Sequence, residues 1–554
     1  MIVECRIDDL FALIGKKMSL KKLEDTLFLI KAEVEKVEGN IIEIEVNPDR
    51  QDMLSSEGIA RAVRAFLDLE PGLRKYDVKR SGLQAIVKPG LSKIRQYLSC
   101  SIVLGVETDD DLIKEYMHLQ EALTATHGRN RKKASIGLYV FDDIEFPLIY
   151  GPSKPEDIRF IPLGYEEEMD GPTILSDHEK GIEFGSILSG FKKWPLLYDS
   201  KGQILSLPPI INSNDLGRIT TETKNIFVEV TGTHLPTVNQ ALNIMTTSLA
   251  ERGGRVKSTT IEYPDGTKHE TPDFTPELMN VSMDEINRLT GLGLNREEVI
   301  NALERTGYGA RLQKGGQIEV QIPRYRVDVL HPVDVIEDIA IGYGFNRIEP
   351  GMPQTMTTGK AKPVTGLKNK ARDLMVGVGY QEILSYIMSS PILLNEKVLR
   401  NRPLVVTENP KSQDYSVLRN SLFPILLSFA SQNQHAEYPQ RIFEVGEIVI
   451  PDEMKETRTL QISSVCGLVT DTTVNITGLA NEIAFLLRNM GLDNRFAFKR
   501  REDPTFIKGR AADILVDGNP VGWFGEVTPE VLSNLEMGTP VVAFEIFLPI
   551  SGEW

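Results

Sequence analysis

The sequence has little cysteine and histidine and lacks any long apolar run. Its 554 residues include 3 cysteines and 7 histidines. Cys5, Cys100 and Cys466 are too far apart for a disulfide framework or a short-spaced zinc motif, and no His-Glu-x-x-His pair occurs. No stretch approaches the ~18 apolar residues that span a bilayer, and the N-terminus lacks the features of a secretory signal. We therefore expect a cytoplasmic protein without a membrane segment.

Basic residues are outnumbered by acidic ones. The chain has 62 Lys and Arg against 78 Asp and Glu, which gives a net charge of −16. The 41% hydrophobic and 25% charged residues are typical of a globular protein. Because this net charge repels phosphate, any contact with nucleic acid must be local or shared with a more basic partner.

The length and the pattern of turns predict four domains, since domains average about 150 residues. We predict an N-terminal α/β domain at 1–85, a β-rich domain at 86–265, a small α/β domain at 270–350 and a C-terminal domain of helices and strands at 351–554. A helix is expected at Leu20–Leu29, and strands are expected at residues 135–141 and at Asn225–Gly232.

The string NPDRQDML begins a segment at residues 47–67 that predicts a turn followed by a helix. Asn-Pro-Asp favours a turn, and Ser55 or Ser56 can cap the helix that follows. The apolar face of this helix consists of Ile59, Val63, Phe66 and Leu67. Taken alone, the pattern indicates a capped scaffold helix.

A second informative segment, residues 323–348, places four carboxylates together. His331 precedes a proline and should be extended, while Pro332 suits the first position of a helix. Asp334, Glu337 and Asp338 then share one helix face, and Asp328 lies just upstream. A divalent cation such as Mg²⁺ would neutralise their repulsion. Alternatively, the acids merely complement the helix dipole.

Two weaker signals lie in the β-rich domain. The run THGRNRKK at 126–133 has five basic residues, which fits either a phosphate-facing patch or a solvated loop. The string SLPPIINSN at 206–214 places amides and a serine beside two prolines. Polar groups after a stiff apolar stretch could line a small pocket.

Taken together, the strings NPDRQDML, RYRVDVLHPVDVIEDIAIGYGFN, ENPKSQDYSVLRNSLFPILL and FGEVTPEVL give the chain a family resemblance. The chain resembles the beta subunit of phenylalanine–tRNA ligase in its shorter archaeal and eukaryotic form, over essentially its whole length. The resemblance implies two alpha and two beta chains that charge tRNA(Phe) with phenylalanine, using ATP and Mg²⁺.

The resemblance also assigns two sites. The family's Mg²⁺ site, at the contact with the alpha chain, matches Asp328, Asp334, Glu337 and Asp338. The family's middle domain edits tRNA wrongly charged with tyrosine, and its pocket maps onto Leu207, Asn212, Ser213, Glu229 and Thr231. Glu229 stands where the family pattern leads us to expect aspartate.

The resemblance implies an α+β multidomain fold whose small domain is DNA-binding-like. Its C-terminal domain resembles a class II synthetase antiparallel sheet that lacks the catalytic motifs. Arg441 and Glu444 have Arg-x-x-Glu spacing where Arg-x-Glu is required, and Val527 follows Glu526 where arginine is required. Without both arginines the triphosphate charge has no clamp. We therefore expect no catalytic residue for aminoacylation in this chain.

Two alternative functions remain open from the sequence. One is a free-standing Mg²⁺-dependent hydrolase, for which Tyr325 and His331 are the nearby candidates to position water. The other is a regulatory nucleic-acid-binding protein, although the net charge of −16 and the lack of a basic recognition helix disfavour it. A stoichiometric synthetase partner on co-purification would separate these alternatives from the ligase.

Overall fold

The computed structural model describes residues 1–353 and 357–548. The chain divides into two compact units that meet in sequence at residues 352 and 353. Each unit contains separate sheets with helices packed on them, so the α+β multidomain class is confirmed. No helix within the described residues is long and apolar enough to cross a membrane.

The first unit begins with a three-stranded sheet packed on three helices. In chain order, its elements are β1 (Ile2–Arg6), α1 (Ile7–Ile14), α2 (Leu20–Leu29), β2 (Ala32–Glu38), β3 (Ile41–Val46) and α3 (Ser56–Phe66). The strand order is β1-β3-β2. The predicted capped helix is α3, in which the Ser55 hydroxyl accepts the Gly58 N–H at 3.2 Å. A side chain on Gly58 would meet the Asp52 carbonyl oxygen at 1.9 Å.

A ten-stranded sheet forms the largest part of the first unit. Its elements and neighbours, in chain order, are β4 (Val78–Val87), β5 (Tyr97–Leu104), α4 (Asp110–Ala125), β6 (Ala134–Val140), β7 (Leu148–Ser153), β8 (Arg159–Phe160), β9 (Met169–Asp170), α5 (Gly171–Asp177), α6 (Glu179–Phe184), β10 (Trp194–Tyr198), β11 (Ile204–Leu207), β12 (Ile211–Asn212), α7 (Asn214–Gly217), β13 (Asn225–Gly232), α8 (Leu235–Glu251), β14 (Arg255–Glu262) and β15 (Lys268–Thr271). The order is β12-β11-β10-β7-β4-β14-β5-β13-β6, with β15 on β14 and a separate β8–β9 pair.

This sheet begins earlier in the chain than the predicted domain boundary at residue 85. Strand β4 starts at Val78 and pairs in parallel with both β14 and β7. The polar stretch at residues 71–82 overlaps the first residues of β4 and so already contributes to the sheet. Pairing between distant strands decides membership of a sheet, and local composition does not report it.

A small domain follows within the first unit. Its elements are β16 (Glu277–Ser282), α9 (Met283–Thr290), α10 (Arg296–Arg305), β17 (Gly309–Leu312), β18 (Gln317–Ile322) and α11 (Pro332–Tyr343), with strand order β16-β18-β17. Helix α11 begins at Pro332, as predicted, and His331 is extended with φ −143° and ψ 155°. Ile336 and Ile339 pack into the core beneath this helix.

The second unit is built on a seven-stranded sheet. Its elements are α12 (Pro363–Gly377), β19 (Gln381–Glu382), β20 (Met388–Ser389), β21 (Val405–Val406), β22 (Val417–Leu418), α13 (Phe423–Gln432), β23 (Gln440–Pro451), β24 (Thr459–Thr470), α14 (Ile476–Leu487), β25 (Phe496–Arg500), β26 (Phe506–Val516), β27 (Asn519–Val527), α15 (Pro529–Asn534) and β28 (Val541–Leu548). The order is β19-β23-β24-β28-β27-β26-β25, antiparallel except for β19, with a small β20-β22-β21 sheet beside it. Single-turn helices lie at Gln51–Met53, Phe141–Asp143, Pro155–Asp157, Gly185–Ile187, Lys314–Gly316, Phe345–Arg347, Ile392–Glu396, Gln413–Tyr415 and Arg488–Leu492.

The two faces of strand β13 have different surroundings. Val228 and Val230 belong to the core that includes α4 and α8. Side chains alternate along a strand, so Phe227, Glu229 and Thr231 point to the opposite face. Phe227 packs there in a second core that includes Tyr139. Strand β13 therefore directs a buried carboxylate away from the helices.

Candidate functional site

The first candidate site surrounds Glu229, which is 2% exposed. Strand β13 pairs with β6 so that Glu229 lies opposite Gly137. The hydroxyl of Tyr139 lies 3.0 Å from Oε2 of Glu229 and 3.1 Å from Oδ1 of Asn212. Its single proton can serve one of these oxygens at a time. The structure therefore joins two of the predicted pocket residues through a tyrosine.

Glycine at position 137 makes this arrangement possible. A side chain there would meet the Tyr139 hydroxyl at 2.4 Å and Oε2 of Glu229 at 2.7 Å. Both are polar atoms that a methyl group would displace from each other. Gly137 is thus required by the close approach of the two side chains.

Burial controls the charge of this site. It raises the pKa of Glu229 to about 7, although Tyr139 and the nearby Arg95 act in the opposite direction. Burial and the Glu229 carboxylate raise the pKa of Tyr139 well above its ordinary value. Ser206 lies opposite Asn212 in the β11–β12 pair, so its side chain shares a face with the amide that contacts Tyr139.

Two buried polar atoms of this site have no hydrogen-bond partner among the described residues. They are Oε1 of Glu229 and Oγ of Ser206. An unpaired buried acceptor and an unpaired hydroxyl are costly unless a further polar group reaches them. A phenol hydroxyl both donates and accepts, so it can satisfy a carboxylate oxygen and a serine together.

Thr231 is held by a buried arginine. Nε of Arg95 donates to Oγ1 of Thr231 at 2.9 Å, and Nη2 donates to Oγ of Ser135 at 2.9 Å. Arg95 is 2% exposed. Burial lowers its pKa to about 10, and the Tyr150 phenol and the Glu229 carboxylate partly oppose that shift.

The other two predicted pocket residues lie apart from this cluster. Leu207 is packed in an apolar core with Ile158 and Leu196. The Ser213 hydroxyl caps α7 by accepting the N–H of Leu216 at 3.4 Å. Neither reaches Glu229 through a hydrogen bond, so their assignment to the pocket stays a prediction without geometric support.

The sequence interpretation missed three residues of the pocket, namely Tyr139, Arg95 and Ser206. Ser206 is adjacent to the predicted Leu207, and neighbouring residues on a strand point to opposite faces. Tyr139 lies in a strand that was predicted, at a position two residues after a glycine. Arg95 lies in a loop, where the sequence carries no signal for burial.

The second candidate site is the acidic cluster of the small domain. Nη2 of Arg326 lies 2.7 Å from Oδ2 of Asp328 and 2.5 Å from Oδ2 of Asp338. The Tyr308 hydroxyl donates to the same oxygen of Asp338. Burial alone would raise the pKa of Asp328, but the Arg326 guanidinium brings it well below its ordinary value. Both aspartates are therefore paired with a buried cation.

The remaining two carboxylates bind other protein groups. Oδ2 of Asp334 accepts the N–H groups of Leu330 and His331, each at 2.8 Å, at the start of α11. Oε1 of Glu337 lies 2.9 Å from Nζ of Lys31, and its side chain is 53% exposed. Asp334 therefore acts as a helix cap, and Glu337 as a partly exposed ion-pair partner.

These contacts do not fit a magnesium centre built from all four carboxylates. Among the described residues, no three His, Cys, Asp or Glu side chains are grouped as a metal site requires. The arginine supplies the positive charge that a cation would otherwise supply. The Mg²⁺ assignment to Asp328, Asp334, Glu337 and Asp338 stays a prediction that the geometry does not favour.

The segment NPDRQDML meets this cluster. Nε of Arg50 donates to Oδ1 of Asp52 at 2.9 Å, and both side chains are buried. The charge of Arg326 also acts on Arg50 and Asp52, which places the two motifs beside each other. The two most recognisable strings of the first unit therefore form one buried ion-pair network.

The residues proposed for the alternative hydrolase have other roles. Cζ of the Arg61 guanidinium lies over the Tyr325 ring, 3.8 Å from the ring centroid. Nδ1 of His331 accepts the N–H of Val333 at 3.3 Å, which caps α11. Neither is placed beside an open carboxylate oxygen, so the geometry does not favour this alternative.

In the second unit, the position that resembles a class II site is filled by an ion pair. Nη1 of Arg419 lies 2.8 Å from Oε1 of Glu444, and both side chains are 2% exposed. The Ser385 hydroxyl donates to the other carboxylate oxygen at 2.5 Å. Arg441 instead pairs with Glu482 at 2.6 Å. Glu444 is therefore occupied within the chain and is not presented to a nucleotide.

The glycine-rich strand β27 is also closed. Side chains on Gly522 and Gly525 would meet the Glu545 carbonyl oxygen at 2.3 Å and the Phe506 ring at 2.6 Å. Glu526 lies 2.7 Å from Arg510 on β26, and the following Val527 is buried. These glycines allow close packing of side chains and backbone, which leaves no phosphate cradle at this point.

Comparisons with known proteins define the class of the chain. The profile of the phenylalanyl tRNA synthetase beta chain CLM domain matches residues 348–548. The profile of the tRNA synthetase B5 domain matches residues 279–345. The folded units thus correspond to parts of an aminoacyl-tRNA synthetase chain.

Full-length relatives identify the family. The phenylalanine–tRNA ligase beta subunits of Pyrococcus horikoshii and Methanococcoides burtonii are each 39% identical, over 98% and 99% of this chain and 97% and 99% of theirs. A solved N-terminal fragment of the Pyrococcus horikoshii phenylalanyl-tRNA synthetase beta subunit has a TM-score of 0.60 and 39% identity, and covers 62% of this chain and 99% of that chain. The chain belongs to the phenylalanine–tRNA ligase beta subunit family. The predicted family and enzyme class, an aminoacyl-tRNA ligase, are confirmed.

Proposed function

We propose that this chain is the non-catalytic subunit of a tetramer of two alpha and two beta chains. In this assembly the alpha chain attaches phenylalanine to tRNA(Phe) in the cytoplasm, with ATP as substrate and Mg²⁺ as cofactor. The observation that carries the proposal is the buried Arg419–Glu444 pair, which fills the class II-like position with protein groups. Family membership supplies the reaction, and this pair explains why a second chain is needed.

An exposed apolar surface beside the small β20-β22-β21 sheet supports the proposal that a partner chain binds here. Its members are Leu384, Tyr386, Ile387, Val406 and Tyr415. Leu384 and Tyr386 are 84% and 77% exposed, and the Tyr386 and Tyr415 rings lie 6.0 Å apart. Large apolar side chains grouped on a surface mark a site of protein contact. We propose that the alpha chain covers this surface.

The test is phenylalanine-dependent pyrophosphate exchange by the pure chain and by the chain with alpha added. We expect exchange only in the presence of alpha. Tyr386→Asp should prevent assembly, because it places a charge in the proposed contact. Met454→Asp is the matched control, since Met454 is 92% exposed on the turn between β23 and β24. Exchange by the pure chain, or equal assembly of both variants, would contradict the proposal.

We infer a second activity, the hydrolysis of tRNA(Phe) that carries tyrosine. A phenylalanine site rejects an added hydroxyl only by about a hundredfold. A separate pocket that recognises the hydroxyl adds discrimination, because its buried polar atoms stay unpaired with phenylalanine. The unpartnered Oε1 of Glu229 and Oγ of Ser206 support this role. Cys100 lies opposite Glu229 on β5, but burial raises the pKa of its thiol well above the ordinary value, so it does not supply a thiolate and we expect attack by water.

The editing proposal predicts a pH dependence. Ionised Glu229 accepts the phenol proton more strongly than the neutral acid does, and burial raises the pKa of this carboxyl to about 7. Clearance of tyrosyl-tRNA should therefore rise with pH through about 7. Glu229→Gln keeps the size of the side chain but cannot ionise, so clearance should fall about ten- to hundredfold at pH 8 and lose this rise.

The matched control for this experiment is Tyr116→Phe. The Tyr116 hydroxyl, on α4 of the same domain, is buried and has no hydrogen-bond partner among the described residues, so its removal should leave clearance unchanged. Hydrolysis is measured with the assembled enzyme and tyrosyl-tRNA(Phe). Equal clearance by the wild type and Glu229→Gln at every pH would show that Glu229 does not discriminate. Absence of clearance by the wild type would contradict the editing proposal itself.

A further inference from the structure

The run of basic residues at 126–133, which we call the basic turn, adopts an unusual backbone. It connects α4 to β6, and Arg129, Asn130 and Arg131 have φ of 50°, 50° and 67°. L-residues enter this left-handed region at a cost, and three in succession need support from their surroundings. The conformation is therefore fixed by specific contacts and differs from that of a free solvated loop.

One support is the side chain of Arg131, which is 8% exposed. Its Nη1 donates to the carbonyl oxygens of Pro209 at 3.0 Å and Ile210 at 2.7 Å. Its Nη2 lies 2.9 Å from Oε1 of Glu121, so this positive charge is already paired. The basic turn is thus tied to the segment that leads into Asn212 of the Glu229 site.

A second support is Arg95, which holds the other side of the turn. Nη1 of Arg95 donates to the carbonyl oxygen of Arg131 at 2.8 Å, while its Nε donates to Thr231. Thr231 lies two residues after Glu229 on β13 and points to the same face. Two arginines therefore connect the basic turn to strand β13, which carries Glu229, and to the segment before β12, which carries Asn212.

The outer side of the turn carries charge without a partner. Arg129 and Lys132 are exposed and Lys133 is half-buried. None of the three has an ion-pair partner among the described residues, although the whole chain has a net charge of −16. An unneutralised basic group in an acidic protein attracts a polyanion locally. The backbone of the basic turn is held by Arg131 and Arg95. It therefore suits a ligand that must be kept at a fixed distance from the Glu229 site.

We propose that the basic turn binds the sugar–phosphate backbone at the aminoacylated end of the tRNA. Arg129 and Lys132 contact phosphates, and Arg131 is a positioning residue that fixes the turn relative to the Glu229 site. This inference rests on the proposed editing function, because it assigns the surface that delivers the substrate to that pocket. Each phosphate contact displaces counterions, so the contacts make binding depend on salt.

The test compares two double variants of the assembled enzyme. Arg129→Ala/Lys132→Ala removes the proposed phosphate contacts, and Lys192→Ala/Lys193→Ala removes two exposed lysines of the same domain outside the turn. For the first variant we expect the KM of tyrosyl-tRNA hydrolysis to rise roughly tenfold at 0.15 M salt with unchanged kcat. The slope of log affinity against log salt for uncharged tRNA(Phe) should decrease by about 2. The control should change neither quantity.

Arg131→Gln separates the positioning role from charge. Because Glu121 already neutralises Arg131, this variant should lower kcat for tyrosyl-tRNA while the salt slope stays as in the wild type. A changed salt slope with unchanged kcat would overturn the positioning role. A fall in kcat together with an unchanged slope supports it.

Different outcomes overturn the editing function and the role of the basic turn. A wild-type enzyme that clears no tyrosyl-tRNA overturns the editing function and with it the delivery role of the turn. If the wild type clears tyrosyl-tRNA but Arg129→Ala/Lys132→Ala matches the lysine control in KM and salt slope, only the basic turn is wrong. A higher KM with a smaller salt slope, against an unchanged control, supports the proposal.

Discussion

Neutralising either of two adjacent carboxylates of helix α11 should destabilise the chain by very different amounts. Asp338 is 3% exposed in its side chain and lies 2.5 Å from Nη2 of Arg326, whereas Glu337 is 53% exposed and pairs with Lys31. Removing one partner of a buried ion pair costs about 3–5 kcal/mol. Asp328 still accepts from Arg326 in Asp338→Asn, so we expect about 3 kcal/mol. Glu337→Gln breaks an exposed pair and should cost less than about 1 kcal/mol.

The assay is urea unfolding of the chain, followed by hydrogen exchange in peptides from residues 317–343. Exchange within this segment reports the stability of the small domain separately from the rest of a multidomain chain. With a slope of about 3 kcal/mol per molar urea, Asp338→Asn should lower the midpoint by about 1 M. The midpoint for Glu337→Gln should stay within about 0.3 M of the wild type.

Repeating both titrations with Mg²⁺ tests the metal assignment at the same time. If the ion-pair network explains the cluster, Mg²⁺ changes neither the order nor the size of the two shifts. Stabilisation of the wild type by Mg²⁺ that disappears in both variants would refute this reasoning and restore the four-carboxylate metal site. Equal midpoints for the two variants without metal would show that the Arg326 pair is not what stabilises the domain.

Two further predictions concern the large sheet. Burial and the neighbouring Glu57 raise the pKa of Glu115 from 4.5 to about 7, so the folded chain keeps this proton in a range where the unfolded chain has lost it. The stabilisation from this shift is therefore full below pH ~4.5, and about 3 kcal/mol is lost as the pH rises to ~7. Glu115→Gln should remove this part of the pH dependence of urea unfolding. An unchanged pH dependence in the variant would contradict the prediction. Gly137→Ala should separate Tyr139 from Glu229 and abolish clearance of tyrosyl-tRNA while phenylalanine charging persists, as measured with the assembled enzyme; normal clearance would show that the close approach is not needed.

Local signals predicted much of the secondary structure. The Ser19 side chain caps α2, whose observed bounds match the prediction, and α11 begins at Pro332 as its fixed φ favours. Strand β13 spans the predicted range. The family could be predicted from four sequence strings in a fixed order. Matching such strings requires no knowledge of which residues are in contact.

The sites could not be predicted to the same extent. Helical spacing placed Asp334 and Asp338 on one face of α11. Asp334 caps the start of the helix, whereas Asp338, one turn later, lies in the interior beside Arg326. The partner of Glu229 depends on the register between β6 and β13, which is set over 90 residues of sequence. A shift of one position on a strand reverses the face of a side chain, so the resemblance that assigned Leu207 gave no signal for its neighbour Ser206.

Arg95 also has a consequence for how the large sheet folds. Its guanidinium bonds to residues 36, 40 and 136 positions away in sequence. Until all of these segments have docked, the cation is left with unpaired donors in an apolar interior, which costs several kcal/mol. Partly assembled forms of the sheet are therefore destabilised. Loops of this length also close slowly. We expect strands β5, β6 and β13 to fold and unfold in one cooperative step, with few intermediates that expose an unpaired strand edge.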